Sequence, residues 1–163
     1  RDGRDVALSL MGRRKDFGVY NAYVAAEYWD FYVSRGSESG ARLAKDVYLE
    51  VRYEDLLEEP KAKMMEICQF LGVSFHESML DFAKPKEAKL TPLLRKPIQK
   101  TNKEKWRSEM SKREARVFEK VAGDTLQRHG YPISASGRPF VLEKAFWRSH
   151  NIMMKKLDKW KFL

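Results

Sequence analysis

Apolar and polar positions alternate along this chain in blocks whose period changes from one block to the next. The first block, DGRDVALSLMGRR, predicts a short helix. Asp2 stands where a cap belongs, and Asp5, three residues later, suits the positive end of the helix dipole. In VYNAYVAAEYWDFYVSRG, Tyr20, Val24, Tyr28 and Phe31 fall on one face with Ala22, Ala25, Trp29 and Val33 beside them. That width predicts a helix buried on more than one side, ended by the turn GSESGAR. DVYLEVRYEDLL then switches to period two: Val47, Leu49 and Val51 alternate with Tyr48, Glu50 and Arg52, which predicts a strand over about 47–53. Pro60 opens the next helix, Met64, Ile67, Cys68 and Leu71 give its apolar face, and Gly72 stops it.

HESMLDFAKP reads as a further short helix ended by Pro85. KEAKLTPLLRKPIQKTNKEKWR has little periodicity, two prolines and dense positive charge, so it reads as a long loop of the kind that often carries function. SKREARVFEKVAGDTLQRHGY restores a helix, with Ser111 and Glu114 forming a capping box and Gly130 ending it. After a Ser/Gly/Pro-rich turn, Leu142, Phe146, Met153, Leu157 and Trp160 line one stripe of a last helix. Residues 138–163 hold seven basic and two acidic residues, so this segment is expected to be a basic amphipathic helix, packed on the domain of residues 1–137 or on a partner.

Composition narrows the chemistry. The 163 residues carry 32 Lys and Arg against 23 Asp and Glu, a net charge of +9, which favours anionic partners: nucleic acid, headgroups, sulfated sugars or a phosphate-bearing small molecule. A single cysteine, Cys68, rules out an internal disulfide and a Cys-rich zinc site, and the three histidines show no ligand spacing, so no metal is expected. No run approaches the roughly 20 apolar residues that span a bilayer, and a cytoplasmic location is the expectation.

The candidate chemistry begins at the first residue. In RDGRDVALS a helix starting near Asp2 puts Ser9 two turns along, roughly 10 Å away at about 1.5 Å per residue. A phosphate beside that first turn would receive a planar arginine fork from one side and a hydroxyl from the other, with the amino end of the helix adding partial positive charge. Further on come Tyr53-Glu54-Asp55-Leu56, and then Lys100, Lys103, Lys105 and Arg107 clustered around Trp106.

That order, from Arg1 to about Tyr131, resembles the carboxy-terminal half of sulfotransferases that use 3′-phosphoadenosine 5′-phosphosulfate (PAPS). Their R-[DN]-P-[RK]-D-x-x-x-S signature matches Arg1 to Ser9, with Gly3 in place of the proline, and their Y-E-D-[LM] matches Tyr53 to Leu56. The resemblance implies that Arg1 and Ser9 bind the 3′-phosphate and that Tyr53 contacts the adenine. An R-K-G stretch before a Trp-Lys or Trp-Arg pair, which closes over the same phosphate, aligns on Gln99, Lys100 and Thr101. Lys100 agrees and its two neighbours depart, so Lys100 and Thr101 are carried over, with Arg95-Lys96 as the alternative.

The fold so implied is α/β: part of a P-loop-like sulfotransferase fold, mostly helical here, with one strand. The activity implied is transfer of a sulfuryl group from PAPS to a hydroxyl or amine acceptor. In such enzymes the 5′-phosphosulfate loop and the catalytic base precede the 3′-phosphate signature, and no Gly-rich phosphate turn occurs in this sequence. The expectation is therefore a stretch that binds the nucleotide's 3′ end, without catalytic residues and inactive alone. Two other readings stay open: a basic helical module for nucleic acid or sulfated polysaccharide, nucleic acid ranking behind a nucleotide, and a membrane-surface module led by the last helix.

Overall fold

The computed structural model describes residues 1–81, 99–134, 137, 139 and 141–160. Its elements are α1 (Gly3–Gly12), α2 (Arg14–Phe17), α3 (Ala22–Gly40), α4 (Tyr53–Glu58), α5 (Pro60–Leu71), a 3-10 turn (Glu77–Leu80), α6 (Trp106–Glu109), α7 (Lys112–Arg128) and α8 (Val141–Trp160). They divide into two compact units. Residues 1–38 and 104–163 form the first, and residues 39–103 form the second.

Local chemistry accounts for most boundaries. The Asp2 carboxylate accepts from the Arg4 amide at 2.9 Å and starts α1. Ser111 Oγ accepts from the Glu114 amide, and the Glu114 side chain reaches back to the Ser111 amide, the reciprocal bonding that fixes the start of α7. Pro60 occupies the first turn of α5, where its missing N–H costs nothing, and Gly72 closes that helix at φ 67.

The core of the first unit lies between α1, α3 and α7. Ala7 and Leu10 of α1, Ala25, Ala26 and Trp29 of α3, and Phe118, Ala122 and Leu126 of α7 are all buried. Alanines of α3 and α7 line this core, and Trp29 and Phe118 fill its centre with ring centroids 5.9 Å apart. Beside this apolar layer runs a polar seam. Thr125 Oγ1 donates to Asp30 and accepts from Arg128 Nη2 at 2.8 Å, and Ser34 Oγ lies 2.9 Å from it. The buried Thr125 hydroxyl is thereby satisfied, as burial of a polar group requires.

Three sequence expectations change here. The strand expected over about 47–53 does not form. Residues 48–52 lack helix and Arg52 is extended (φ −75, ψ 132), yet no strand occurs among the described residues. Alternation supplies the conformation, but a strand exists only when a neighbour takes its N–H and C=O groups, and Val47 remains 61 % exposed. The fold described is accordingly helical rather than α/β, and Tyr53 opens α4 instead of ending a strand. Second, α3 runs on through GSESG to Gly40, and its buried face is Ala22, Tyr23, Ala25, Ala26 and Trp29, while Tyr28 and Phe31 face solvent. Third, the apolar stripe of α8 is exposed. The helix docks through other groups: Asn151 bridges the Tyr20 amide (2.7 Å) and the Gly18 carbonyl (3.0 Å), Asn21 Nδ2 donates to the Trp147 carbonyl at 3.0 Å, and Arg148 pairs with Glu27.

The second unit is smaller. Its α5 lays Cys68 inward with Met64 and Ile67 half-buried beside it, whereas Leu71 is exposed. Cys68 is thus a small packed side chain.

Candidate functional site

The amino end of α1 is built around a buried arginine, and it is not the one the sequence singled out. Arg4 is fully buried. Its Nε and Nη2 donate to the two Asp2 carboxylate oxygens at 3.0 and 2.8 Å, and its Nη1 donates to Glu119 Oε1 at 2.7 Å and to the Pro132 carbonyl at 2.9 Å. The face of the guanidinium stacks on the Trp106 ring, 3.7 Å from the centroid. Glu119 in turn accepts from the Ser134 amide and hydroxyl, both at 2.9 Å. Arg4 therefore anchors the turn and has no fork left for a ligand.

Arg1 precedes the cap and is less enclosed. Its carbonyl accepts from the core Trp29 Nε1 at 3.2 Å, which fixes its backbone, while its side chain is 28 % exposed. Its Nη2 lies 4.0 Å from Asp5 Oδ2, a long ion pair. Asp5 Oδ1 accepts from the Trp106 amide at 2.9 Å, which holds the Trp106-Arg107 pair against the start of α1. Arg107 itself is exposed, stacks on the other side chain of that pair (4.7 Å to the Trp106 centroid), and directs its fork at Glu104. Glu104 adopts the left-handed conformation (φ 55), which is rare outside Gly, Asn and Asp and sets the bend into α6.

Ser9 is exposed on α1, and its hydroxyl bonds to no described residue. Asp5 and Ser9 stand one turn apart within α1, whereas Arg1 precedes the cap residue Asp2 and lies outside the helix. Burial pushes the Asp5 carboxyl above its ordinary value; the Trp106 amide and Arg1 pull the other way and only partly offset it. The sign of the consequence is definite. A carboxyl raised in the folded state stabilises the fold fully below its unfolded value of 3.8 and loses that contribution as pH rises through the folded value. Asp5→Asn keeps an acceptor for the Trp106 amide and removes the charge, so its melting temperature should exceed that of the parent at neutral pH. The difference should shrink to nothing below pH 3.8, as a pH series of thermal melts would show.

The remaining sequence-predicted residues belong to the second unit. Tyr53, half-buried at the start of α4, accepts at its hydroxyl from Asn102 Nδ2 at 2.8 Å. Gln99 to Asn102 form a turn closed by the Asn102 amide on the Gln99 carbonyl at 2.9 Å, and Lys100 and Thr101 sit exposed at its tip. Lys103 pairs with Glu58. The structure thus brings Tyr53 to the turn bearing Lys100 and Thr101, through Asn102, which the sequence reading passed over. Arg95 and Lys96 lie outside the described residues. No group of His, Cys, Asp and Glu arranged to hold a metal occurs among the described residues.

A guanidinium beside the amino end of a capped helix is a setting that general electrostatics favours for an anion. Residues 1–77, just under half of the chain, match the model of the sulfotransferase family, which is consistent with a sulfotransferase-family fragment and supports general sulfuryl transfer. The matched residues include Arg1, Ser9 and Tyr53 and stop short of Lys100 and Thr101. No curated protein and no solved structure matches the chain.

Proposed function

We propose that this chain provides nucleotide-binding residues of a PAPS-dependent sulfotransferase, with Arg1 and Ser9 on the 3′-phosphate. The observation that carries the reading is the placement of Arg1. Its backbone is fixed by Trp29 and its partly exposed fork stands at the amino end of α1, inside the segment that matches the family. Arg4, the other arginine of the signature, is engaged by Asp2 and Glu119, which is compatible with assigning the phosphate to Arg1. Tyr53, Lys100 and Thr101 are the further nucleotide contacts of the proposal, Tyr53 toward adenine. In the complete reaction the sulfur–oxygen bond to the 5′-phosphate breaks, a new one forms to the acceptor oxygen or nitrogen, the acceptor proton leaves, and adenosine 3′,5′-bisphosphate remains. Holding the 3′ end contributes by positioning the donor rather than by bond chemistry.

Titration calorimetry with adenosine 3′,5′-bisphosphate tests the reading without requiring turnover. The bisphosphate should bind more tightly than adenosine 5′-monophosphate. Arg1→Ala should weaken it by about 1.5–3 kcal/mol, the worth of a hydrogen bond to a charged group, and Ser9→Ala by about 0.5–1.5 kcal/mol. Equal affinity for the two nucleotides, or an Arg1→Ala variant that binds like the parent, would falsify the assignment.

A further inference from the structure

We infer that α8, with the exposed start of α7 beside it, is a docking surface for an anionic phospholipid bilayer. This inference does not depend on the nucleotide reading. The starting observation is the orientation of α8: its polar docking groups Asn151, Trp147 and Arg148 engage α3 and the turn before it, and its apolar stripe is turned outward. Leu142 is 82 % exposed, and Phe146, Ile152, Met153 and Leu157 are each about half exposed or more. Five large apolar side chains on one helix are far more than scattered surface residues would supply, and a contiguous apolar face of this kind marks an interaction site.

Charge selects the occupant. Leu142 and Phe146 share a groove with the exposed cations Lys112, Arg113 and Arg116 of α7, while Ile152, Met153 and Leu157 surround a second hollow with Lys156 at its edge. Both acidic residues of α8 are already committed within the fold, Glu143 to Lys120 at 3.3 Å and Asp158 to Arg14 at 3.8 Å. The rim that borders the apolar stripe is therefore positive. A second copy of the chain would bring two positive rims together. Nucleic acid would satisfy the cations but leave the leucines and phenylalanine without an apolar phase. An anionic bilayer takes both: the stripe enters the acyl boundary and the lysine and arginine stems lie along it with their heads among the phosphates. No described helix is long and apolar enough to cross a membrane, so the geometry is that of a helix lying in the interface.

The test uses the full chain and extruded vesicles in a sedimentation assay. Vesicles of phosphatidylcholine with about 30 % phosphatidylserine should bind the chain at least about 10-fold more tightly than phosphatidylcholine alone, and raising salt from roughly 0.1 to 0.5 M should release it. Phe146→Asp and Leu157→Asp, toward opposite ends of the stripe, should each weaken binding at least about 10-fold while thermal melts stay cooperative, since both side chains are about half exposed. Lys112→Glu with Arg116→Glu should remove the preference for the anionic vesicles. Any of four results overturns the inference: no vesicle binding, equal binding to the two vesicle types, both aspartate variants binding like the parent, or a dimer in sedimentation velocity that Leu157→Asp abolishes. Short RNA bound with equal strength by parent and Phe146→Asp, in the absence of vesicle binding, assigns the face to polyanions instead and also overturns it.

Discussion

Arg4→Ala should lose about 3–5 kcal/mol of stability in urea denaturation, the cost of breaking a buried ion pair from one side. Removing the guanidinium takes from Glu119, whose side chain is fully buried, the cation 2.7 Å away, and breaks the pair with Asp2 that orients the cap. It also takes away the planar group on which Trp106 rests. A loss of that size is a large part of the roughly 5–15 kcal/mol that holds a domain together, so the variant is expected to be partly unfolded at 37 °C. Arg4→Lys should be nearly as damaging, because an ammonium cannot bond Asp2 with a fork and reach Glu119 together. The double variant Arg4→Met/Glu119→Met should recover part of the loss, since no uncompensated charge then remains inside. A single-variant cost below about 1 kcal/mol would show that the cluster is not what anchors α1.

Gly3→Ala is the second large effect. A methyl group on Gly3 would lie 2.5 Å from the Trp29 ring and 2.6 Å from Phe118, closer than any real side chain tolerates, and both rings are rigid members of the core. Overpacking of this kind costs about 1–3 kcal/mol, and Gly3→Pro, which adds the same carbon, should cost at least as much. Pairing Gly3→Ala with Phe118→Leu should give a total cost smaller than the sum of the two separate costs, the sign of a shared contact. The comparison of chevron or equilibrium midpoints for the four proteins measures it. This also explains the departure from the sulfotransferase signature: on backbone grounds the first helical position accepts proline, but the Trp29–Phe118 pair occupies the space its ring needs.

What the sequence disclosed is what depends on near neighbours. The Asp2 cap, the Ser111–Glu114 box and the Pro60-to-Gly72 helix each need only a few adjacent residues, and each stands where the pattern put it. The expected strand failed because pairing is a property of two segments, and alternation describes one. The face of α3 differs for another reason: hydrophobicity favours Tyr28 and Phe31 for the interior, yet the face that is buried is the one bearing Ala22, Ala25, Ala26, Tyr23 and Trp29, which period alone does not single out. At the candidate site the signature pointed to Arg1 and Ser9, whereas Arg4 and Asp5 carry the architecture. Charged residues default to the surface, and nothing local to RDGRD announces that Glu119 and the Trp106 amide, more than 100 residues away, will meet them.

That separation bears on how the polypeptide matures in the cell. The first unit draws on both flanks of the sequence, with residues 39–103 inserted between them. Residues 1–38 leave the ribosome before Phe118 and Leu126, which share their core and are translated some 90 residues after Trp29. At about 5–20 residues per second that interval is roughly 5–18 s, so the core of the first unit closes only after the inserted residues have been made.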